Sequence, residues 1–236
     1  MKAALFDLDD TLYDHKYHRI CALQTLQQKH PELRHIPLDV LEVEHERHLQ
    51  ANYGQLLEGR ISLADARIER IRNLCAACDL HLSPEQAVET TELFRKTYQD
   101  NQRAVPGAID LLHQLKNRIT LGVVTNGLVE IQLEKLRICG MERLFSFVLV
   151  SEEIGAKKPD QAIFIEALHR AGAQPEEAVF VGDAWETDII GSHQCGIRTI
   201  WLNRYGATCL DPDITTEIRA LAPVQQIVDL IFKETP

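Results

Sequence analysis

The segment LFDLDDTLYD, residues 5–14, places four acidic side chains, Asp7, Asp9, Asp10 and Asp14, at the end of a short apolar run. Clustered carboxylates repel one another and resist desolvation, so they persist only where a cation, a proton or water compensates them. On an extended segment Asp7 and Asp9 point to one side and Leu8 to the other, which lets two carboxyl groups converge at the end of a single strand. Other polar groups also follow short apolar runs: Thr125, Asn126 and Gly127 after LGVVT, Lys158 in GAKKPD, and Asp183 with Asp188 in VFVGDAWETD. Each alone could be a turn residue, a helix entry, a solvated lysine or a helix cap. Acids, a hydroxyl and a lysine that all fall at strand ends outline a ligand crevice instead. Asp10 is turned away from Asp7 and Asp9 by the same alternation and is expected to anchor the following turn. Neither it nor Asp14 receives a chemical role.

The elements that must position these groups are legible from residue 105 onward. The runs TLGVVT (120–125), FSFVLV (145–150), AVFVGD (178–183) and RTIWLN (198–203) are apolar and β-branched, as buried parallel strands require. Helical patterns alternate with them. LVEIQLEKLRICG carries apolar residues at helix spacing and ends on Gly140, while PDQAIFIEALHRAG puts Pro159 at the first helical position and Gly172 at the stop. The fold class is therefore α/β, a Rossmann-like doubly wound parallel sheet. AALFD (3–7) is a further strand of that sheet, yet about 100 residues precede the next one, far beyond an ordinary connection. Residues 16–29, 38–57 and 84–98 show helical periodicity, so the intervening segment reads as an inserted helical bundle. The expected boundaries are 1–13 with 105–236 for the α/β core and 14–104 for the insertion, with Pro106-Gly107 marking the return.

A formal net charge of -10 with only 25 Lys and Arg, none in a dense run, excludes a nucleic-acid polymer as partner. No apolar stretch is long enough to span a bilayer, and the N-terminus is too briefly apolar for a signal peptide, so no membrane partner and a cytoplasmic location are expected. The six cysteines fit free thiols in a reducing compartment. Cys75 and Cys78 lie three apart on a helical face without a second pair, as small core residues do. EHERH at 44–48 spaces His45 and His48 by three, where a zinc-protease helix needs four, so these histidines are read as solvated or packing groups.

The motif residues together resemble the haloacid dehalogenase superfamily of phosphotransfer enzymes. D-x-D-x-T is matched by Asp7, Asp9 and Thr11, the hydroxyl motif by Thr125, the K-P motif by Lys158-Pro159, and G-D-x-x-x-x-D by Gly182, Asp183 and Asp188. The insertion resembles the cap of the subgroup that inserts helices after the first motif. GDAWETDIIGSHQCGIRTIWLNR resembles the nucleoside 5′-monophosphate and N-acylneuraminate-9-phosphate phosphatases, and TLYD resembles the pyrimidine nucleotidases.

The resemblance implies a Mg²⁺-dependent phosphomonoesterase acting on a small phosphorylated metabolite, a nucleotide or a sugar phosphate, as a monomer or homodimer. It implies Asp7 as the nucleophile that becomes an aspartyl-phosphate, Asp9 as general acid and base, and Thr125 and Lys158 as further catalytic groups. Thr125, Asn126, Gly127 and Lys158 would bind the phosphoryl group. Asp7, Asp183, Asp188 and the Asp9 backbone carbonyl would hold the metal, Asp188 directly or through water. Lys157 is expected to be a surface lysine. A dehalogenase would be expected to lack the acid at Asp9, whereas a phosphomutase would keep all four motifs and a non-catalytic domain that binds a protein partner would keep the fold. Those last two stay open. In YGQLLEGRISLADAR (53–67), Arg60 and Arg67 are candidate contacts for a substrate anion or simply solvated helix surface.

Overall fold

The computed structural model describes residues 1–233; positions 234–236, included in the expected core, lie outside the described residues. The chain divides into two compact units, Met1–Asp14 with Arg103–Pro236, and His15–Gln102. The division falls at Asp14 and Arg103 for a local reason. The Asp14 carboxylate is fully buried and paired with Arg103 at 2.7 Å and Arg204 at 2.8 Å, which ties both ends of the break to the first unit.

The first unit is built on a six-stranded sheet, all parallel, in the order β3-β2-β1-β4-β5-β6. The strands are β1 Ala3–Phe6, β2 Thr120–Thr125, β3 Phe147–Val150, β4 Ala178–Gly182, β5 Arg198–Leu202 and β6 Thr215–Ile218. All four β1 residues are buried, as a central strand covered on both faces demands. The register aligns Phe6 with Val123 on one side and with Val181 on the other, so the residues that follow leave the sheet along one edge. The strand order also reverses around β1, which makes that edge the switch-point crevice of a doubly wound sheet. β6 was not anticipated: it is four residues long and only partly buried, and it offers little pattern to read.

The helices of this unit are α5 Ala108–Leu115, α6 Val129–Ile138, α7 Ser151–Ile154, α8 Gln161–Ala171, α9 Gly191–His193 and α10 Val224–Phe232, with a π-helical turn at Trp185–Ile190 before α9. Gly140 and Gly172 adopt φ of 68° and 60°, the left-handed geometry expected where α6 and α8 stop. Pro159 does not open α8. Asp160 is the N-cap, its carboxylate accepting from the Ala162 N–H at 2.9 Å, because a side-chain acceptor satisfies an orphan donor that proline cannot.

The second unit contains four α-helices, labelled by position as α1 His15–Lys29, α2 Leu38–Leu57, α3 Leu63–Ala77 and α4 Pro84–Asp100, and a 3-10 turn at Pro31–Leu33; no strand occurs among its described residues. Ser62 caps α3, and a Ser83–Gln86 capping box with Pro84 opens α4. Leu23, Leu26, Leu41, Ile71, Leu74 and Phe94 form the core. Cys75 is buried among them and Cys78 packs against them, both as free thiols, and burial pushes the Cys75 thiol up to about 12. Among the described residues no helix is long and apolar enough to cross a membrane.

Candidate active site

Asp7 extends the β1 ladder by one bond, its N–H donating to Val181 O at 2.9 Å, and its carboxylate emerges at the sheet edge. The chain then turns: Leu12 N–H reaches back to Leu8 O, and Asp10 takes φ of 61° while its N–H donates to Tyr13 O, so Asp10 does anchor the turn. The β2 end supplies Thr125, the β4 end Asp183, and the turn after it Asp188. Lys158 comes from the loop that precedes α8.

Lys158 is 3% exposed and its Nζ donates to Asp7 Oδ1 at 2.5 Å and to Asp188 Oδ1 at 2.7 Å. Lys157 is exposed, as expected of a surface lysine. Asn126 splints the lysine loop through its side chain, donating to Lys158 O at 3.1 Å and accepting from Lys158 N–H at 2.8 Å. Gly127, at φ 143°, donates its N–H to Ser151 Oγ at 3.0 Å, and a Cβ there would lie 2.9 Å from Gln132 Nε2. Thr11 Oγ1 donates to Asp183 Oδ1 at 3.3 Å, and Trp201 Nε1 donates to the Asp183 carbonyl at 2.8 Å. Asp188 Oδ2 accepts from the Ala184 N–H at 3.1 Å.

Carboxylate oxygens of Asp7, Asp183 and Asp188 lie within 4.8 Å of one another. Burial, reinforced by Asp188 and opposed by Lys158, raises the Asp7 carboxyl from 3.8 to about 7. Burial and then the neighbouring Asp7 and Asp188 charges hold Asp183 well above the ordinary carboxylate range. Burial alone would lower Lys158, yet Asp188 and Asp7 outweigh it and keep its pKa above the usual lysine value. The centre thus gathers more carboxylates than ammonium groups in a largely buried site, and its metal-donor set is entirely oxygen.

Asp9 behaves differently from its alternation partner. Its carboxylate meets Lys135 Nζ at 2.6 Å on both oxygens and Gln132 Nε2 at 3.2 Å, both from α6. The same Gln132 amide donates to Thr125 Oγ1 at 2.8 Å and Asn126 O at 2.7 Å, so one side chain braces the acid and the hydroxyl together. Neither Gln132 nor Lys135 was singled out by residue type. The available signal was a polar pair three apart on α6, both of them buried.

Gly182 is required by the same crowding, since a Cβ there would lie 2.5 Å from Asp188 Oδ2 and 2.6 Å from Asp188 Cβ. Gly182→Ala is expected to cost about 1–3 kcal/mol and to push Asp188 off Lys158. Fluorescence-monitored denaturation checks this, because both tryptophans, Trp185 and Trp201, lie in the same unit with rings 4.9 Å apart. An unchanged midpoint would show that the crowding is relieved at no cost. Of the two arginines considered in the helical unit, Arg60 is exposed and pairs with Glu58, whereas Arg67 is half-buried.

A parallel switch-point sheet with buried carboxylates and a lysine at its carboxyl edge defines a doubly wound α/β core that carries a candidate active site. Residues 1–196 match the family model of haloacid dehalogenase-like hydrolases, and the chain belongs to that family. It is 34% identical over 209 residues to a glyceraldehyde 3-phosphate phosphatase of Methanopyrus kandleri, covering 86% of this chain and 84% of that one. A phosphoserine phosphatase of Thermus thermophilus is 36% identical over 140 residues, 58% of this chain and 55% of that protein. The solved structure of the putative HAD-hydrolase YfnB from Bacillus subtilis, bound to magnesium, is 26% identical with a TM-score of 0.70, covering 97% of this chain and 98% of that one.

Proposed function

We propose that this hydrolase is a Mg²⁺-dependent phosphomonoesterase that cleaves a small phosphorylated metabolite through an aspartyl-phosphate on Asp7. The observation that carries the proposal is the buried Asp7–Lys158–Asp188 constellation with Asp183 beside it. The phosphatase names of its relatives support the substrate class, from glyceraldehyde 3-phosphate to phosphoserine.

An all-oxygen set of three clustered carboxylates fits a hard divalent cation, and the raised Asp7 and Asp183 values show a site short of positive charge. Asp7, Asp183 and Asp188, with the Asp9 carbonyl, would hold it. When bound, Mg²⁺ supplies the charge that offsets the phosphoryl oxygens. Lys158 occupies Oδ1 of Asp7, which leaves Oδ2 to attack phosphorus in line while the ammonium group stabilises the transferring charge. Thr125 Oγ1, at the end of β2, accepts from Gln132 and donates to Asn126 O at a long 3.4 Å, a weak bond that the hydroxyl would give up to donate to a phosphoryl oxygen. Asp9, placed by Lys135 and Gln132, would protonate the leaving alkoxide and then take a proton from the hydrolytic water. Because the Lys135 ion pair favours the charged carboxylate, the first step requires that pair to loosen when substrate binds so that Asp9 carries the proton. Hydrolysis of a carbon–halogen bond needs no such acid, and the two side chains devoted to orienting Asp9 favour phosphate chemistry. The helical unit, His15–Gln102, is the cap in this proposal; it falls inside the expected 14–104, with Asp14 and Arg103 belonging to the core.

The test is phosphate release from a panel of phosphorylated metabolites, including triose phosphates, phosphoserine, nucleoside monophosphates and sugar phosphates, with and without Mg²⁺. Failure to release phosphate from any of them in the presence of Mg²⁺ would end the proposal. Lys135→Met is expected to lower kcat by ~10- to 100-fold with little change in KM, since it loosens the proton-transfer group and leaves ground-state phosphate contacts in place. A KM effect with normal kcat would assign Lys135 to binding instead.

A further inference from the structure

The apolar core of the helical unit does not run the full length of its helices. On α1 the buried Ala22, Leu23 and Leu26 give way one turn earlier to Arg19, and on α2 Leu41 is followed at helix spacing by His45 and His48. On α3 the core residues Ile71 and Leu74 are each preceded, four residues back, by Arg67 and Arg70, and on α4 Phe94 is followed by Tyr98. At one end of the bundle, then, all four helices exchange their core stripe for cationic, imidazole or phenol groups.

The acids nearby do not balance these cations. Glu42 and Glu46 bond to Arg19 at 2.8 and 3.1 Å, and Glu92 bonds to Arg95. Arg67 and Arg70 have no hydrogen bond or ion pair with any described residue, and the Arg70 Nε atom is buried without a partner. Burial and the adjacent Arg67 charge push Arg70 down to about 10, and Arg67 is lowered by burial and by Arg95. His45 is 3% exposed, stacks on Phe94 with ring centroids 5.1 Å apart, and has no partner at either ring nitrogen. Burial and the charges of Arg70 and Arg19 keep it neutral. Buried polar groups normally find partners, and two adjacent unpaired guanidinium groups repel each other. One oxyanion would remove both costs, because the planar fork of arginine matches carboxylate and phosphate oxygens in pairs and a neutral imidazole adds one further N–H.

We infer that Arg67, Arg70 and His45 form a binding site for a small oxyanion, a carboxylate or phosphate group, within the helical unit. The site stands on the geometry of that unit alone. The oxyanion is either free in solution or the second charged group of a phosphorylated substrate, and only the latter source rests on the phosphomonoesterase proposal.

Succinate is the probe for binding, added to the full chain in Mg²⁺ while the side-chain ¹⁵N resonances of arginine and histidine are followed by NMR. Saturable shifts are expected at Arg67, Arg70 and His45, with none at Arg60, and they should vanish in Arg70→Met. Arg67→Gln, at a less buried position, gives the same loss if Arg70→Met does not fold. Absence of any saturable shift at these three residues in the wild-type protein overturns the site. The source is separated by kinetics on phosphoglycolate and ethyl phosphate, which differ by a carboxylate. A substrate-borne anion predicts a KM for phosphoglycolate raised ~10-fold or more in Arg70→Met, with ethyl phosphate unchanged. A free anion predicts that succinate alters turnover of both esters equally in the wild type and of neither in the variant. Succinate-induced shifts without turnover of any phosphate ester would retain the anion site and overturn the phosphomonoesterase proposal.

Discussion

Asp7→Asn is expected to abolish phosphomonoester turnover, lowering kcat by ~10⁴-fold or more while the sheet stays folded. The amide is nearly isosteric, but it cannot attack phosphorus, and it removes one of three carboxylates whose oxygens lie within 4.8 Å of one another. The same substitution has a stability signature. In the metal-free protein Asp7 titrates at about 7 instead of 3.8, so between those values the folded state holds a proton that the unfolded chain has released. The unfolded state binds fewer protons there, and stability falls as pH rises from about 4 to about 7. Asp183, also raised, acts in the same direction. Metal-free wild type should therefore melt at a lower temperature at pH 7.5 than at pH 5.5, and Asp7→Asn should flatten this dependence. Added Mg²⁺ should restore the wild type at the higher pH by RT ln(1 + [L]/Kd), about 2.7 kcal/mol at a hundredfold excess over Kd. Turnover surviving in Asp7→Asn would remove Asp7 from the chemistry.

Lys158→Met is the second large effect. The ammonium group is bonded to two carboxylates that are themselves buried, with side-chain exposures of 3% for Lys158, 8% for Asp7 and 1% for Asp188. Removing one partner of a buried pair leaves uncompensated charge, which costs about 3–5 kcal/mol. The loss should be greatest at neutral pH and smaller in acid, where the remaining carboxyls take up protons. Tryptophan fluorescence during urea denaturation reads this directly, since Trp201 donates to the Asp183 carbonyl. Activity should fall by ~10²- to 10³-fold even with Mg²⁺ saturating, as for other groups that stabilise charge in a transition state. A variant as stable as wild type at neutral pH would mean that the carboxylates are neutralised by another route.

The sheet was readable because buried parallel strands are apolar throughout, and polar residues at their ends interrupt that pattern for a reason. Asp7, Thr125 and Asp183 stand at strand ends as this pattern implies, whereas Lys158 lies in the loop before α8 and Asp188 in the π-helical turn after β4. The structure brings Asp7, Lys158 and Asp188 into bonding distance with Asp183 beside them. Asp9 was found too, but its partners were not. Alternation implied that it shares one point with Asp7, whereas the chain leaves its extended path after β1 and sends the Asp9 carboxylate to Lys135. Pro159 failed as a helix start because Asp160 caps better, and β6 failed because four residues, three half-buried and one exposed, carry no readable period.

By itself the amino-acid order determined five of the six strands, the helical insertion and the candidate acids and lysine, since these follow from local periodicity and from where apolar runs stop. The tertiary structure alone decided which charges meet. Asp9 and Lys135 stand 126 positions apart, and Asp7 and Lys158 stand 151 apart. Periodicity tells which face of a helix is buried, but only the packing of distant segments tells what lies opposite it. For the same reason Arg67 and Arg70, one helical turn apart, look like any solvated surface until the fold shows that no carboxylate among the described residues bonds to either.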